Sequence, residues 1–442
     1  MIMPLAHADF LRESDMLKRG CLDNALLLVP VLGVVWMYLV FFPGIKTPDS
    51  LHQLLQANLN EYVDWHPPLM AWLWGKLNHI FPETSGIMWL HIFLLWTALI
   101  AYARLIPDRR SALIYLFGFM PMVVGLTGIV WKDITTTYML LWCLVFFLLP
   151  RTRWYVAAFL VCVWLAVALR YNTLFSALPI VFFYFLGLFQ EHHRSRSILF
   201  AVTTTVAVMA AVFLSARAFT YDFIKAKESY PQIVILVDDL SYFSLQEQRS
   251  LVPGVDYSAV EHSARQWTYD NFFRLKLPNT KEYYDEVKAA WEDAVLADPA
   301  RYLKFRLSVF VRFLGISLDP PFATDAPSID YGLQLYHVRD EPNAWKESTG
   351  QYIIYVADRL PFLFAGYFWL AFDALLFLFL LFYRNIAYRH VLLALGASGT
   401  LNAMSYLLVA NSNFYRYIYW TVLAGLLALF FIYFGWRSRT KD

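Results

Sequence analysis

Charge and cysteine are both scarce in this chain. Only 16% of its 442 residues are Asp, Glu, Lys or Arg, whereas about a quarter is usual in a soluble domain. The formal net charge is +2, so the chain lacks the basic excess that electrostatic binding to nucleic acid requires. The composition therefore excludes nucleic acid as a partner, and the high apolar content excludes intrinsic disorder.

The three cysteines, Cys21, Cys143 and Cys162, lie in or beside apolar runs, and none lies in the polar stretch 219–360. This placement argues against a disulfide framework or a cysteine zinc site. The N-terminal segment contains acidic residues and has no small-residue cleavage site before its first apolar run. We expect that run to remain as a membrane anchor.

Apolar residues make up 59% of the chain and aromatic residues 18%. A membrane-spanning helix needs roughly 20 mostly apolar residues at about 1.5 Å each. The sequence predicts an all-α polytopic membrane protein, a bundle of about ten transmembrane helices with outer interfacial helices and a small extracytoplasmic domain. The predicted spans are 24–42, 86–104, 111–130, 134–150, 154–170, 174–189, 198–218, 361–383, 391–410 and 416–435.

The segment 66–81 is apolar but only sixteen residues long, and loop charge decides its placement. If it stays at the surface, the ends and loops on the N-terminal side carry fifteen Lys and Arg, and the opposite short loops carry five. The positive-inside rule then places both termini in the cytoplasm. We therefore predict that 66–81 lies along the outer interface, with Trp65, Trp72 and Trp74 suited to the headgroup region.

This topology divides the chain into three parts. They are an N-terminal transmembrane module 1–218 with a long first outer loop 43–85, an extracytoplasmic domain 219–360, and a C-terminal transmembrane module 361–442. In the domain, the apolar spacing of 281–297 predicts a helix, and Asp298-Pro299 predicts the start of an amphipathic one. The basic residues of the second helix would be available for lipid phosphates: Arg301, Lys304, Arg306 and Arg312.

Polar residues gather at the outer ends of the predicted spans. They are Lys46, Asp49, Asp64 and His66 in the first loop, Lys132 and Asp133 in the second, Arg170 and Asn172 in the third, and Asn411, Asn413, Arg416 and Tyr417 in the last. Each also has a structural interpretation: an arginine as an interfacial anchor, Lys132-Asp133 as a local ion pair, His66 as a turn residue, and Asp49 or Asp64 as a helix cap. Their coincidence on one side favours a functional site.

The sequence resembles the GT-C superfamily of integral-membrane glycosyltransferases in four short motifs. These are TPDS in the first outer loop, DWHPPL at the start of the interfacial segment, KD after the third span, and a final RY. The superfamily includes protein O-mannosyltransferases, lipid A aminoarabinose transferases and arabinofuranosyltransferases. The resemblance covers about two thirds of the chain, and it implies transfer of a sugar from a polyprenyl-phosphate carrier to an acceptor.

By this similarity, Asp49 is the general base, Asp133 the second-loop acid, His66 a residue facing the donor phosphate, and Arg416 the cation of the last loop. Lys132, Arg170 and Tyr417 would join Arg416 around the phosphate, and Asp64, Asn172 and Asn413 would bind substrate. A divalent cation, Mg²⁺ or Mn²⁺, would have Asp49, Asp133 and His66 as ligands. The first loop has TPDS rather than an acidic pair, so metal dependence stays open.

The chemistry of the reaction agrees with these roles. A phosphate leaving group needs cations to stabilise its charge, and the attacking hydroxyl needs a carboxylate within hydrogen-bond reach. A single base without a carboxylate nucleophile favours inversion at the anomeric carbon. We therefore expect an inverting glycosyltransferase of the bacterial inner membrane, with a periplasmic site.

Two points remain open at this level. A transporter or flippase of lipid-linked glycans is the main alternative, but only Asp373 lies deep in a predicted span, and a transport path would need several such residues. The acceptor is either a surface protein such as a pilin, or lipopolysaccharide or another envelope glycan. Residues 219–360 contain no motif that distinguishes a protein acceptor from a glycan acceptor.

Overall fold

A computed structural model describes residues 24–81, 84–192, 195–266, 270–316, 343–410 and 415–437. The regular elements in these ranges are helical, and the extended chain forms only isolated bridges, Ile45 to Ile129 and Val63 to Lys227. The expected all-α fold is therefore confirmed for the described part of the chain. Both chain ends and Asn413 lie outside these ranges.

The described ranges form α-helices α1 to α18. In order they are α1 Leu28–Phe41, α2 Pro48–Leu59, α3 Leu69–Leu77, α4 Gly86–Leu105, α5 Pro121–Thr127, α6 Lys132–Leu148, α7 Arg153–Leu169, α8 Thr173–His192, α9 Ser197–Ala218, α10 Ile233–Glu247, α11 Tyr257–Gln266, α12 Asn271–Arg274, α13 Lys281–Ala297, α14 Pro299–Phe313, α15 Ala344–Arg359, α16 Gly366–Phe382, α17 Arg389–Met404 and α18 Tyr419–Arg437. Turns of 3₁₀ helix cover Asn24–Leu27, Arg109–Phe119, Pro361–Phe364 and Tyr415–Tyr417, and a π-helical turn, Phe219–Phe223, continues α9.

Three stretches in the described ranges are long and apolar enough to cross a membrane. They are Gly86–Leu105, Thr173–Gln190 and Ser197–Phe223. Four shorter apolar helices, Leu28–Phe41, Arg153–Leu169, Gly366–Phe382 and Tyr419–Gly435, fall below that length. A helix of seventeen residues rises only about 25 Å, against roughly 30 Å of hydrocarbon. These helices are compatible with a membrane protein, and the ten-span bundle stays a prediction.

One predicted span is not a straight helix. Residues 111–130 fall on the 3₁₀ segment Arg109–Phe119 and on α5, which are bent by 58° relative to one another. Pro121 begins α5 and leaves the backbone at Met120 extended. This is the usual effect of a proline on the preceding residue. The apolar composition predicted the helical content here but not the break.

The segment 66–81 forms α3, which is too short to cross a membrane, as expected. Its nine residues rise only about 13 Å. The helix is packed into the protein more deeply than an interfacial helix would be, because Met70 and Trp74 are fully buried. The Trp74 indole donates a hydrogen bond to the backbone oxygen of Thr84, 2.9 Å away. The expected headgroup role of Trp74 is therefore wrong.

In the segment 219–360, which is predicted to be extracytoplasmic, the described residues form helices α10 to α15 after the π-helical turn. The predicted helix 281–297 is α13, and Asp298 caps α14 by accepting a hydrogen bond from the backbone N–H of Arg301. The expectation that the basic residues of α14 face lipid phosphates fails at Arg306, which is 1% exposed and paired with Asp239. Arg301 pairs with Glu247.

Asp373 lies inside the packing of the last membrane-type helices. It is fully buried on α16. A Cβ placed on Gly399 of α17 or on Gly425 of α18 would meet its carboxyl group. The glycines thus make room for this side chain between three helices. We therefore assign Asp373 a packing role rather than a place on a transport path.

Candidate active site

The first outer loop is held against the start of α6 by main-chain hydrogen bonds. The N–H of Ile45 donates to Gly128 O, and the N–H of Val130 donates to Ile45 O, both at 2.9 Å. The hydroxyl of Ser50 donates to Val130 O at 2.6 Å. This attachment brings Asp49, one residue before Ser50, beside Lys132 and its neighbours.

Asp49 lies in the first turn of α2 but does not cap it. Thr47 is the N-cap and forms a capping box with Ser50. The Asp49 carboxylate instead meets two other side chains. One oxygen lies 2.7 Å from a terminal nitrogen of Arg416, and the other lies 3.5 Å from Nε2 of His66. The capping interpretation of Asp49 is therefore wrong, and its side chain points into a cluster of charges.

His66 joins Asp49 to Lys132. The Lys132 ammonium lies 2.9 Å from Nδ1 of His66. Because an ammonium can only donate, Nδ1 is the acceptor and the imidazole proton lies on Nε2, facing Asp49. Burial, followed by the charge of Lys132, lowers the pKa of His66 to about 4. His66 is therefore neutral near pH 7 and links the two charged groups.

Asp133 is the second carboxylate of the cluster, and two arginines flank it. Arg170 forms an ion pair with one carboxylate oxygen, and Nε of Arg416 lies 4.0 Å from the other. Arg416 therefore stands between Asp49 and Asp133. The proposed local pair of Lys132 with Asp133 is not formed, since each has a different partner.

These contacts make one chain of groups in the order Lys132, His66, Asp49, Arg416, Asp133 and Arg170. With His66 neutral, the chain contains two guanidinium groups, two carboxylates and Lys132, whose pKa is lowered to about 7, chiefly by burial. Protonation of Lys132 leaves the chain with one positive charge. We call these six residues the charge chain. Such a surplus favours an anionic ligand.

Aromatic rings enclose the two arginines. The Arg416 guanidinium lies 4.4 Å from the centre of the Trp131 ring and 5.1 Å from that of Tyr417. The Arg170 guanidinium lies 4.5 Å from the Tyr417 ring and 5.4 Å from the Tyr406 ring. Cation–π contacts of this kind stabilise a guanidinium that has lost part of its hydration.

Asp49 is held strongly in its anionic form. Burial alone would raise the pKa of its carboxyl, but Arg416, His66 and Lys132 outweigh burial and hold that pKa well below its ordinary value. A carboxylate with a low pKa is a weak proton acceptor. Asp49 can therefore act as an effective base only when a ligand draws Arg416 away from it.

The space inside the cluster is small. A cavity of about 10 Å³ is lined by residues that include Asp133, Arg170, Asn172, Tyr417 and Arg416, and this is room for about one water molecule. Asn172 accepts a hydrogen bond from Nε of Arg170 at 2.9 Å. A ligand larger than water can therefore enter this cavity, which Asp49, His66 and Lys132 do not line, only if the lining side chains move apart.

The residues expected to hold a metal ion are not arranged for one. In the described ranges, no group of three or more His, Cys, Asp or Glu side chains has the geometry to hold a metal ion. Asp49 and Asp133 each have an arginine as a neighbour, and His66 directs Nδ1 to Lys132. The donor set therefore does not fit Mg²⁺ or Mn²⁺, and we assign the metal no step.

Asp64 lies outside the cluster and has a different role. Its carboxylate accepts hydrogen bonds from the Tyr221 hydroxyl at 2.8 Å and from the N–H and hydroxyl of Ser229 at 2.6 and 2.7 Å. It does not cap α3, which has Pro68 at its N-cap. Asp64 therefore joins the first outer loop to the extracytoplasmic domain.

Two residues of the site were missed by the sequence analysis. Tyr406 is buried beside Arg170 and is stacked on Tyr417, with ring centres 5.3 Å apart. Asp270 comes from the extracytoplasmic domain and lies within electrostatic range of Asp49 and Arg416. Neither has a sequence signal, because each is one of many similar residues in its segment and reaches the site through tertiary packing.

Asp270 is held in an unusual backbone conformation. Its φ is +65°, a value that is uncommon for residues other than glycine. The backbone N–H groups of Asp270 and Asn271 both donate to the buried carboxylate of Asp238, at 3.3 and 2.9 Å. Burial is the main reason why the pKa of the Asp270 carboxyl is raised.

The segment after Asp270 is packed against the start of the interfacial segment. The Trp65 ring is 6.3 Å from that of Phe272 and 5.5 Å from that of Phe273. Trp65 directly precedes His66, so this packing sets the domain against the charge chain.

No protein-family model matches the chain, and neither the curated proteins nor the solved structures contain a match.

Proposed function

We propose that the protein is an inverting glycosyltransferase of the GT-C type, which moves a sugar from a polyprenyl-phosphate carrier to an acceptor hydroxyl. The observation that carries the proposal is the charge chain, in which carboxylates alternate with cations beside apolar helices. We place this site on the outer, periplasmic side of a bacterial inner membrane. The acceptor is a surface protein or an envelope glycan.

The cations suit the leaving group. Breaking the bond between the anomeric carbon and the phosphate oxygen leaves a phosphate with additional negative charge. Arg416 and Arg170 present guanidinium groups, which match phosphate oxygens in geometry, and Lys132 adds a third cation. Their charges would stabilise the leaving oxygen more in the transition state than in the bound donor.

Donor binding would also activate the base. A phosphate that draws Arg416 to itself weakens the ion pair between Arg416 and Asp49, and the pKa of Asp49 then rises toward its ordinary value. Asp49 becomes a better proton acceptor when the donor is in place. The ion pair thus keeps the base inactive until a phosphate binds, which also limits loss of the sugar to water.

The acceptor would approach from the side of the extracytoplasmic domain. Asp270 lies within electrostatic range of Asp49, and its carboxyl is suited to accept a hydrogen bond from the attacking hydroxyl. In the transfer, the hydroxyl oxygen forms the new bond to the anomeric carbon, the bond to the phosphate oxygen breaks, and Asp49 takes the hydroxyl proton. Atoms and charges then balance without a further reactant.

The direct test is donor choice by the purified protein. Polyprenyl-phosphate sugar should be consumed and nucleotide sugar should not. Arg416→Ala and Arg170→Ala should each lower use of the lipid-linked donor by roughly tenfold to a hundredfold, the effect of losing one charge-assisted contact. Equal use of a nucleotide sugar, or full activity in both variants, would refute the proposal.

A further inference from the structure

Arg306 lies at the boundary between the extracytoplasmic domain and the C-terminal helices. It is on α14 and is 1% exposed. One terminal nitrogen donates to the Asp239 carboxylate on α10 at 2.7 Å, and the other donates to the backbone oxygen of Ala410 at 3.0 Å. Arg306 therefore joins the core of the domain to the chain that follows α17.

Asp239 is itself fixed inside the domain. The Trp291 indole of α13 donates to the same carboxylate oxygen at 2.7 Å, and Asp239 is fully buried. Three helices of the domain, α10, α13 and α14, thus meet at this carboxylate. The Arg306 guanidinium, which donates to Ala410, is therefore held in one orientation relative to the domain.

The same helix makes a second contact with this part of the chain. The Phe313 ring of α14 is stacked on Tyr406, with centres 4.8 Å apart. Tyr406 in turn is stacked on Tyr417, and both rings face the Arg170 guanidinium. Helix α14 therefore touches the chain at Tyr406 and Ala410, shortly before the turn Tyr415–Tyr417 that carries Arg416.

Stability alone does not explain a buried ion pair at this position. Taking two charges out of water costs free energy, and apolar side chains of similar volume often stabilise a core equally well. What an apolar pair cannot provide is the hydrogen bond to the Ala410 carbonyl. That bond fixes Ala410 against the domain, and the stacking of Phe313 on Tyr406 and of Tyr406 on Tyr417 continues the contact to the neighbour of Arg416.

We propose that Arg306, anchored by Asp239, is a positioning residue that sets the turn Tyr415–Tyr417 and holds Arg416 between Asp49 and Asp133. A shift of α14 relative to the C-terminal helices would then move Arg416. The extracytoplasmic domain thereby controls the geometry of the site. The identity of the ligand held by Arg416 rests on the proposed function, but the positioning does not.

The test replaces both members of the pair, so that no charge is left buried alone. The variant is Asp239→Leu with Arg306→Met. The matched control is Glu247→Leu with Arg301→Met, because that ion pair of 2.8 Å also joins α10 to α14. In the described structure Arg301 faces Phe243 rather than the chain after Tyr406.

Hydrogen exchange of the full-length protein in detergent measures the positioning directly. We expect the amides of Tyr415–Tyr417 to exchange about tenfold faster in the Asp239–Arg306 variant, the scale of one lost hydrogen bond, and at the wild-type rate in the control. Undecaprenyl phosphate affinity should fall by about the same factor in the first variant only. Unchanged exchange at Tyr415–Tyr417 would overturn the inference.

A cycle with Arg416→Ala separates positioning from a general loss of structure. If Arg306 acts through Arg416, replacing the pair in the Arg416→Ala background should cause no further loss of undecaprenyl phosphate affinity. Additive losses would overturn the inference. If the wild-type protein fails to bind undecaprenyl phosphate, the proposed function is refuted, and the exchange result still decides the positioning.

The single variant Arg306→Lys covers the case in which the double variant does not fold. An ammonium keeps the charge opposite Asp239 but lacks the planar fork that reaches two acceptors at once. The Arg306→Lys variant should therefore show the same faster hydrogen exchange at the amides of Tyr415–Tyr417. Wild-type exchange in a folded Arg306→Lys protein would contradict the proposed role.

Discussion

Each carboxylate in the site is compensated by an arginine, and this arrangement decides how the carboxylates behave. An isolated charge in a half-buried site would be costly, so Asp49 and Asp133 each lie against a guanidinium. The compensation keeps Asp49 ionised but makes it a weak base. Under the proposed function, reactivity would therefore depend on a ligand that changes the pairing, rather than on a single residue with a fixed pKa.

Asp49→Asn tests the general base. The amide keeps the size of the side chain and can still accept a hydrogen bond through its oxygen, so we expect the protein to fold. It cannot take the acceptor proton, and turnover with polyprenyl-phosphate sugar should fall by roughly two to four decades. Asn58→Asp, at an exposed position of the same helix, changes charge away from the pairs and serves as the control. Near-normal turnover of purified Asp49→Asn would show that another group is the base.

Asp270→Asn tests the acceptor side. We expect the variant to bind undecaprenyl phosphate as the wild type does, because Asp270 is not among the donor cations. Transfer to envelope membranes from a strain lacking this protein should fall at least tenfold, the scale of one lost hydrogen bond to a charged group. Asp285→Asn, at an exposed residue paired with Lys281, is the control. A loss of donor binding equal to the loss of transfer would place Asp270 on the donor side.

At the level of elements, local signals predicted the helices well and their ends less well. The predicted helix 281–297 and the start after Asp298 are confirmed, since both depend on periodic spacing and a local cap. The assignment of Asp49 as a cap was wrong because Thr47, two residues earlier, makes the capping box. The prediction that the basic residues of α14 are available for lipid phosphates was wrong at Arg306. The partners of Arg306 come from another helix and from a backbone carbonyl about a hundred residues away in the sequence.

Gly399→Ala tests the packing of α16, α17 and α18. A Cβ at this position would overlap the Asp373 carboxyl, so the helices would have to separate or the side chain would have to move. Overpacking of this kind costs about 1–3 kcal/mol, and thermal unfolding in detergent should show it. Asp373→Ala in the same chain removes the overlap and should restore part of the loss. A variant as stable as the wild type would show that Asp373 has another position.

Across the whole molecule, the sequence predicted most of the groups that meet but not how they pair. The predicted topology placed Asp49, Lys132, Arg170 and Arg416 at one level of the membrane. In the structure Asp49 contacts Arg416 directly, while Lys132 and Arg170 are joined to them through His66 and Asp133. The pairing depends on tertiary geometry, such as the attachment of Ile45 to Gly128. Asp270 could not be found from the sequence, because the domain that carries it has no pattern linking it to the membrane helices.

Contacts between the first outer loop and the extracytoplasmic domain require both to lie on the same side of a membrane. The N–H of Asp64 donates to Lys227 O, and the N–H of Lys227 donates to Tyr62 O. Asp49 likewise meets Arg416 from the last loop. These contacts agree with a surface position for 66–81. If 66–81 crossed the membrane, Asp49 and Tyr62 would lie on one side, and Lys227 and Arg416 would lie on the other.

Single cysteines test this sidedness in intact cells. In a chain without Cys21, Cys143 and Cys162, Glu61→Cys and Glu282→Cys should react with a membrane-impermeant maleimide from outside, since both lie in loops predicted to face out. Arg110→Cys should react only after the membrane is opened, because the positive-inside rule places it in the cytoplasm. All three positions are exposed, so accessibility within the folded protein does not limit the reaction. External labelling of Arg110→Cys together with protection of Glu282→Cys would invert the topology and move the charge chain to the cytoplasmic side, where nucleotide sugars are present.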